Sequence, residues 1–136
     1  MTLVRIVVLL LLASFGAMAQ SGADAAKPIE GVWIYANDRA KNVAFDPFYE
    51  GSTITIEPGG RYAFALGDPA MKPLVGRWTL RGADADMFRI HTEFGQGRTI
   101  DFKLSVKRDA TGAIDGMEVL EADEDPKQAR YYVPKK

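Results

Sequence analysis

His91 is the only histidine of the 136-residue chain, which contains no cysteine. These counts exclude thiol catalysis, disulfide scaffolds, thiolate metal sites and any site that requires two imidazoles. Strand alternation places His91 on an outward face, with Asp101 as its neighbour on the next strand. Such a pair needs a nucleophile and an oxyanion site to act as a base, and no motif supplies them. We therefore expect a solvated surface pair, no enzyme activity and no cofactor.

Charged side chains are nearly balanced, with 17 Lys and Arg against 18 Asp and Glu. This balance removes the long-range field that a nucleic-acid-binding protein needs. Four clustered carboxylates have the composition of a calcium loop, namely Glu121, Asp123, Glu124 and Asp125. Ala122 and Pro126 break the required order of ligands, so we expect no metal site there.

Five basic residues are predicted on the outward faces of three neighbouring strands: Arg77, Arg81, Arg89, Lys103 and Lys107. Such a patch could bind an anionic glycan, a lipid headgroup or an acidic protein. Glu93 and Asp101 interrupt it, and mixed charges are usual on exposed sheet faces. A solvated face is therefore the favoured interpretation.

Aromatic residues dominate the candidate binding positions. Segment 37–51 is longer than most hairpin connections and carries several aromatic rings, so we expect it to fold over one end of a barrel as a lid or to cap the core. Trp33 is expected to plug the barrel floor, and Trp78 is expected to do so or to contact a ligand. The candidate ligand-binding residues are Phe45, Phe48, Tyr49, Tyr62, Phe64 and Trp78.

Residues 1–19 have the three parts of a secretory signal peptide: Arg5, a short apolar run and small residues that end at Ala19. The apolar run is shorter than the about 20 residues that a spanning helix requires. We therefore expect cleavage after Ala19 and a periplasmic or secreted protein without a membrane span. Residues 20–27 are predicted to be a flexible lead-in, and residues 28–136 are predicted to form one domain.

Short stretches of alternating apolar and polar residues predict about eight antiparallel strands with one buried face. Turns at 58–60 and 95–97 and a loop at 82–86 predict three consecutive hairpins that bury the same face. The predicted inward pairs are Ile56 with Tyr62, Ile54 with Phe64, Trp78 with Ile90, Leu80 with Phe88, Ile90 with Phe102, and Phe88 with Leu104. Closure into a single antiparallel up-and-down barrel would remove both sheet edges, and a two-layer β-sandwich is the alternative.

Three segments resemble small bacterial lipocalin-like domains. They are Gly31-Val32-Trp33, the hairpin that runs from Thr53 to Tyr62, and Gly76-Arg77-Trp78-Thr79-Leu80. The resemblance covers most of residues 28–136 and implies an exported calycin-type barrel whose first long loop lies over the mouth. It also implies that a basic residue near the last strand packs on the first tryptophan, and Arg130 is the match.

These patterns lead to two functional hypotheses. The first is binding of one small apolar or amphipathic ligand at the barrel mouth, because an eight-stranded barrel is either just filled or able to hold one small molecule. The second is an envelope protein-interaction or inhibitor module with a packed barrel, a role that some lipocalin-like domains have by resemblance. A hollow or a filled interior distinguishes them.

Overall fold

Eight antiparallel strands form one closed barrel in the computed structural model, which describes residues 24–37 and 45–136. The strands are β1 (Gly31–Tyr35), β2 (Thr53–Ile56), β3 (Arg61–Ala65), β4 (Leu74–Asp84), β5 (Met87–Phe94), β6 (Arg98–Arg108), β7 (Ile114–Glu121) and β8 (Arg130–Pro134). Each strand pairs with its neighbours in sequence, and β1 pairs with β8. The predicted all-β up-and-down barrel is therefore confirmed, and the sandwich alternative is wrong because β1 and β8 close the sheet.

Two of the three predicted hairpins have the predicted register. Ile54 lies opposite Phe64 in the β2–β3 pair, and the β5–β6 pair aligns His91 with Asp101. In both hairpins a glycine takes up the left-handed backbone conformation that the turn requires, with φ of +96° at Gly59. The turn residues therefore fixed these two registers.

The hairpin between β4 and β5 differs from the prediction. Asp84 pairs with Met87, so the turn has two residues, not five. Trp78 consequently lies opposite Thr92, and the pairings predicted for Trp78 and Leu80 are wrong by two positions. Between Leu80 and the turn, a β-bulge accommodates one extra residue in β4. Since the shift at Trp78 is an even number of residues, its side chain keeps the predicted face.

One end of the barrel, which we call the closed end, is filled by side chains. Ile29 ends a short 3-10 helix before β1 and is fully buried. Trp33 is 3% exposed, and its Nε1 donates to the Ile29 carbonyl at 2.9 Å. Trp78 is half-buried, and its Nε1 donates to the Glu57 carbonyl at 2.9 Å. Trp33 thus lies in the core, as predicted, and both indole N–H groups have acceptors.

The packed structure begins before residue 28. Ala26, within the segment predicted to be a flexible lead-in, is buried, and its carbonyl accepts a hydrogen bond from the Ile29 amide at 3.0 Å. The predicted signal peptide, residues 1–19, lies outside the described residues, as does segment 38–44. Within the described parts of the chain, no helix is long and apolar enough to cross a membrane.

The opposite end, which we call the open end, carries the connections that follow β1, β3, β5 and β7. This arrangement follows from the up-and-down topology, in which successive connections alternate between the two ends. The segment before β2 packs here through a 3-10 helix, Pro47–Tyr49, and the segment before β8 does so through Pro126–Gln128. The open end is therefore built mainly from connections.

Candidate functional site

A cavity of about 250 Å³ lies at the open end of the barrel interior. Its apolar wall comes from six consecutive strands and consists of Ile54, Phe64, Leu74, Phe94, Ile100, Phe102 and Val119. Its polar side consists of Tyr49, Tyr62, Glu121, Glu124, Arg130 and Tyr132. The volume falls between the about 150 Å³ that admits benzene and the about 300 Å³ at which pockets for drug-sized ligands begin. A single ring or a short chain would fit.

Tyr62 places a hydroxyl at this cavity. The residue is 3% exposed, and its ring stacks on Phe102 at a centroid distance of 5.9 Å and meets Phe94 edge-on. Its hydroxyl has no hydrogen-bond partner among the described residues. Every fully enclosed side-chain oxygen of those residues does have a partner. The hydroxyl therefore faces accessible space, which is the cavity that Tyr62 lines. Burial raises the pKa of Tyr62 well above its usual value, so the hydroxyl stays protonated.

Tyr132, on β8, offers a useful contrast to Tyr62. Tyr132 is fully buried, but its hydroxyl lies 3.4 Å from the Ser52 hydroxyl and shares a hydrogen bond with it. Burial raises the pKa of Tyr132 to about 12, although the Ser52 hydrogen bond opposes the shift. One tyrosine of the polar side is thus satisfied within the protein, whereas Tyr62 is not.

The long connection between β1 and β2 reaches the cavity through Tyr49. Its ring lies 5.7 Å from that of Tyr35 and 6.3 Å from that of Phe64. The Tyr35 hydroxyl accepts a hydrogen bond from the Asp46 amide at 3.0 Å, which fixes this part of the connection on the barrel. Segment 45–51 thus borders the open end, where a lid was expected.

Arg130 brings a positive charge to the cavity from the first residue of β8. Its Nη2 donates to Glu124 Oε1 at 3.4 Å, and its guanidinium carbon lies 5.2 Å from the centroid of the Tyr49 ring, a cation–π arrangement. The predicted packing of Arg130 on Trp33 is wrong. Trp33 pairs with Pro134, four residues farther along β8, so Arg130 lies too near the open end to reach it.

Burial lowers the pKa of Arg130, but the interactions with Tyr49, Glu124, Tyr132 and Glu121 outweigh it and raise the pKa. Burial raises the pKa of Glu121, and the nearby Glu124 carboxylate raises it further. The polar side of the cavity therefore holds a fixed positive charge next to two carboxylates.

Three of the six predicted ligand-binding residues, Tyr49, Tyr62 and Phe64, line the cavity together. The other three lie elsewhere. Phe45 packs on Tyr35, and Phe48 meets Tyr49 edge-on while remaining 63% exposed. Trp78 is outside the lining because it lies four residues from Leu74 toward the closed end of β4, where Glu57 accepts its indole hydrogen.

Glu121 and Arg130 are two charged cavity residues that the sequence analysis does not assign to a binding site. Glu121 was grouped with loop carboxylates, but it extends the inward row of β7 that contains Met117 and Val119. Arg130 extends the inward row of β8 that contains the buried Tyr132. The signal that identifies both is strand alternation carried to the last residue of β7 and to the first residue of β8.

His91 and its neighbours lie outside the barrel, as predicted. His91 Nδ1 is 2.6 Å from Asp101 Oδ1, and Nε2 is 3.4 Å from Glu93 Oε1. Arg81, Arg89 and Lys103 share an outer groove with this pair, and Lys107 approaches Glu118 at 3.9 Å on the same face. Charges of both signs thus alternate on this surface. Among the described residues no group of three or more acidic or histidine side chains could hold a metal ion.

Comparisons with protein-family models, with curated proteins and with solved structures found no match. An eight-stranded antiparallel barrel is compatible with the lipocalin-like fold that the sequence resembles. The function is therefore inferred from the cavity itself.

Proposed function

We propose that the protein binds one small amphipathic molecule in the open-end cavity. The observation that carries the proposal is the hydroxyl of the buried residue Tyr62, which has no hydrogen-bond partner among the described residues and faces a cavity with an apolar wall. A hydroxyl in a mostly apolar cavity can donate to or accept from a ligand there, and the low local dielectric strengthens that hydrogen bond. Rings and aliphatic side chains around it would bury the apolar part of the ligand at about 25 cal/mol per Å².

Export through a signal peptide and membership of the lipocalin-like proteins belong to the same proposal. The features of residues 1–19 support export to the periplasm or the exterior, and the barrel together with the Gly-x-Trp segments supports the family. In that setting the protein would carry or sequester its ligand.

Two neighbouring residues on β4 allow a matched test. Leu74 lines the cavity, whereas Val75 is 46% exposed on the outer face. Leu74→Trp should fill the mouth, and Val75→Trp adds the same indole outside it. We expect amide NMR titrations with phenethyl alcohol and hexanol to show binding by the wild type and by Val75→Trp. Affinity should fall at least about tenfold in Leu74→Trp, which corresponds to about 1.4 kcal/mol.

The shift pattern in the wild type should centre on Ile100, Phe102 and Val119, which line the cavity from β6 and β7. Absence of binding by both probes would contradict the proposal. Equal binding by wild type and Leu74→Trp would place the ligand elsewhere and contradict it as well.

An interaction module is the second candidate, and exposed apolar side chains favour it. Phe48 is 63% exposed and Met71 is 52% exposed, and both lie in connections at the open end. Exposed apolar groups that cluster at one end are typical of protein-binding surfaces. Loss of an envelope partner from a pull-down with Phe48→Ser and Met71→Ser, with phenethyl alcohol binding intact, would support this candidate.

A further inference from the structure

The polar side of the cavity has more negative than positive charge. Arg130 is the basic residue in the lining, and Glu121 and Glu124 are the acidic ones. The guanidinium bonds to Glu124 at 3.4 Å, so one carboxylate is already paired. Glu121 forms no ion pair with any basic side chain of the described residues, and its backbone N–H donates a hydrogen bond to Glu124 Oε1 at 2.9 Å. A negative charge thus remains at the cavity.

Glu121 lies on the inward side of β7. It pairs in register with Phe102, a core residue, and follows Val119, which is 1% exposed. Tyr62 stacks on Phe102, and the electrostatic influence of Glu121 reaches its hydroxyl. The Glu121 carboxylate, the Tyr62 hydroxyl and the aromatic rings therefore line the same cavity.

These groups have a common chemical preference. A carboxylate accepts hydrogen bonds, and a tyrosine hydroxyl can accept one as well as donate. An ammonium group donates three hydrogen bonds and accepts none, and aromatic faces also attract cations. An anionic headgroup would instead approach two carboxylates and a guanidinium that already has a partner. The lining therefore favours a cation.

We propose, on the basis of the function proposed above, that the ligand is a protonated amine with a small apolar body, whose ammonium group binds between Glu121 and Tyr62. The apolar body then contacts Phe64 and Phe102. Burial and the Glu124 carboxylate raise the pKa of Glu121, although Arg130 lowers it, so the negative charge of Glu121 is unfavourable at this position. A bound cation would supply the missing compensation.

Three probes of nearly equal size test the sign of the charge: phenethylamine, phenethyl alcohol and phenylacetate. Their affinities are measured at neutral pH and low salt by calorimetry or amide NMR titration. We expect phenethylamine to bind at least about tenfold more tightly than the alcohol and phenylacetate to bind least, because a charge-assisted hydrogen bond exceeds a neutral one. Added salt should reduce the preference for the amine.

Two isosteric variants of β7 identify the residue responsible. Glu121→Gln should abolish the preference for phenethylamine while binding of phenethyl alcohol persists. Glu118→Gln, on the same strand but next to the outward Lys107, should leave the preference unchanged. Persistence of alcohol binding also shows that Glu121→Gln has folded.

The outcomes separate the two proposals. Binding of the alcohol and the amine with equal affinity would overturn the inference about charge and leave the proposed binding function standing. Tighter binding of phenylacetate would overturn it too, since Arg130 would then receive the ligand. Binding of none of the probes would overturn both proposals.

Discussion

The closed and open ends of the barrel are made from the same alternating strands, yet they finish in different ways. At the closed end the inward rows meet Trp33 and Ile29, and the indole N–H finds a backbone carbonyl. At the open end the rows of β7 and β8 end in Glu121 and Arg130, and the Tyr62 hydroxyl at the same cavity finds no partner among the described residues. The first arrangement stabilises the fold, whereas the second leaves polar groups for a ligand.

Truncation at the closed end should have the largest effect on stability. Trp33→Ala removes an almost fully buried indole, and its free energy of unfolding should fall by about 3–5 kcal/mol. Phe64→Ala, at the half-buried rim of the cavity, should lose only about 1–2 kcal/mol because that ring already borders empty space. Urea unfolding measures both. Equal losses would mean that the two ends do not differ in packing.

A glycine pair on β4 tests the wall of the open end. A Cβ at Gly76 would collide with the Glu93 carbonyl and with the Phe94 ring, which lines the cavity. A Cβ at Gly82, on the same strand, meets nothing within 4 Å. Gly76→Ala should therefore cost about 1–3 kcal/mol of unfolding free energy, whereas Gly82→Ala should change it by less than about 1 kcal/mol. If Gly76→Ala left the unfolding free energy unchanged, β4 and β5 would be able to move apart at this position without cost.

Turn chemistry explains which parts of the fold could be predicted. Gly59, Gly60 and Gly97 have positive φ, a conformation that favours glycine. Their presence in the sequence therefore predicts the two turns and, with them, the register of the β2–β3 and β5–β6 pairs. Ala85 also has a positive φ, of +52°, in the turn between β4 and β5. Alanine seldom adopts that conformation, so the sequence contains no signal for a two-residue turn there.

Cavity residues could be predicted where the alternation within one strand is enough to place them. They could not be predicted where the placement depends on how several strands meet. Tyr62 and Phe64 follow from alternation within β3 alone. Glu121 and Arg130 become cavity residues because the end of β7 and the start of β8 lie together across a connection, 122–129, that reads as an acidic surface loop. Charged residues at strand ends resemble loop residues until the neighbouring strand is known.

Two tyrosine variants compare a satisfied hydroxyl with an unsatisfied one. Tyr132→Phe removes the hydrogen bond to Ser52, so unfolding free energy should fall by about 0.5–1.5 kcal/mol. Tyr62→Phe removes a hydroxyl that has no hydrogen-bond partner in residues 24–37 and 45–136, and it should leave stability unchanged or raise it by up to about 1 kcal/mol. Thermal and urea unfolding distinguish them. Destabilisation by Tyr62→Phe as large as that by Tyr132→Phe would mean that the Tyr62 hydroxyl has a partner in the empty protein.

The smallest expected effect is the pH dependence that Glu121 contributes. Its pKa is raised in the folded state by burial and by Glu124, so the charged form is less favourable folded than unfolded. The resulting loss of stability is present above the raised pKa and disappears as the pH falls toward the ordinary value of 4.5. Glu121→Gln should therefore gain less than about 1 kcal/mol at neutral pH, because solvent screens a half-buried carboxylate, and the gain should vanish below the ordinary pKa.

Parallel urea titrations of the wild type and of Glu121→Gln across this pH range measure the difference. Glu118→Gln is the control, because Glu118 lies 3.9 Å from Lys107 and its loss should remove an attraction and not a repulsion. A loss of stability in Glu121→Gln at neutral pH that disappears toward acid pH would reverse the sign and mean that Arg130 stabilises the Glu121 charge. In that case the open end would carry no uncompensated carboxylate, and its difference from the closed end would rest on the Tyr62 hydroxyl and the cavity alone.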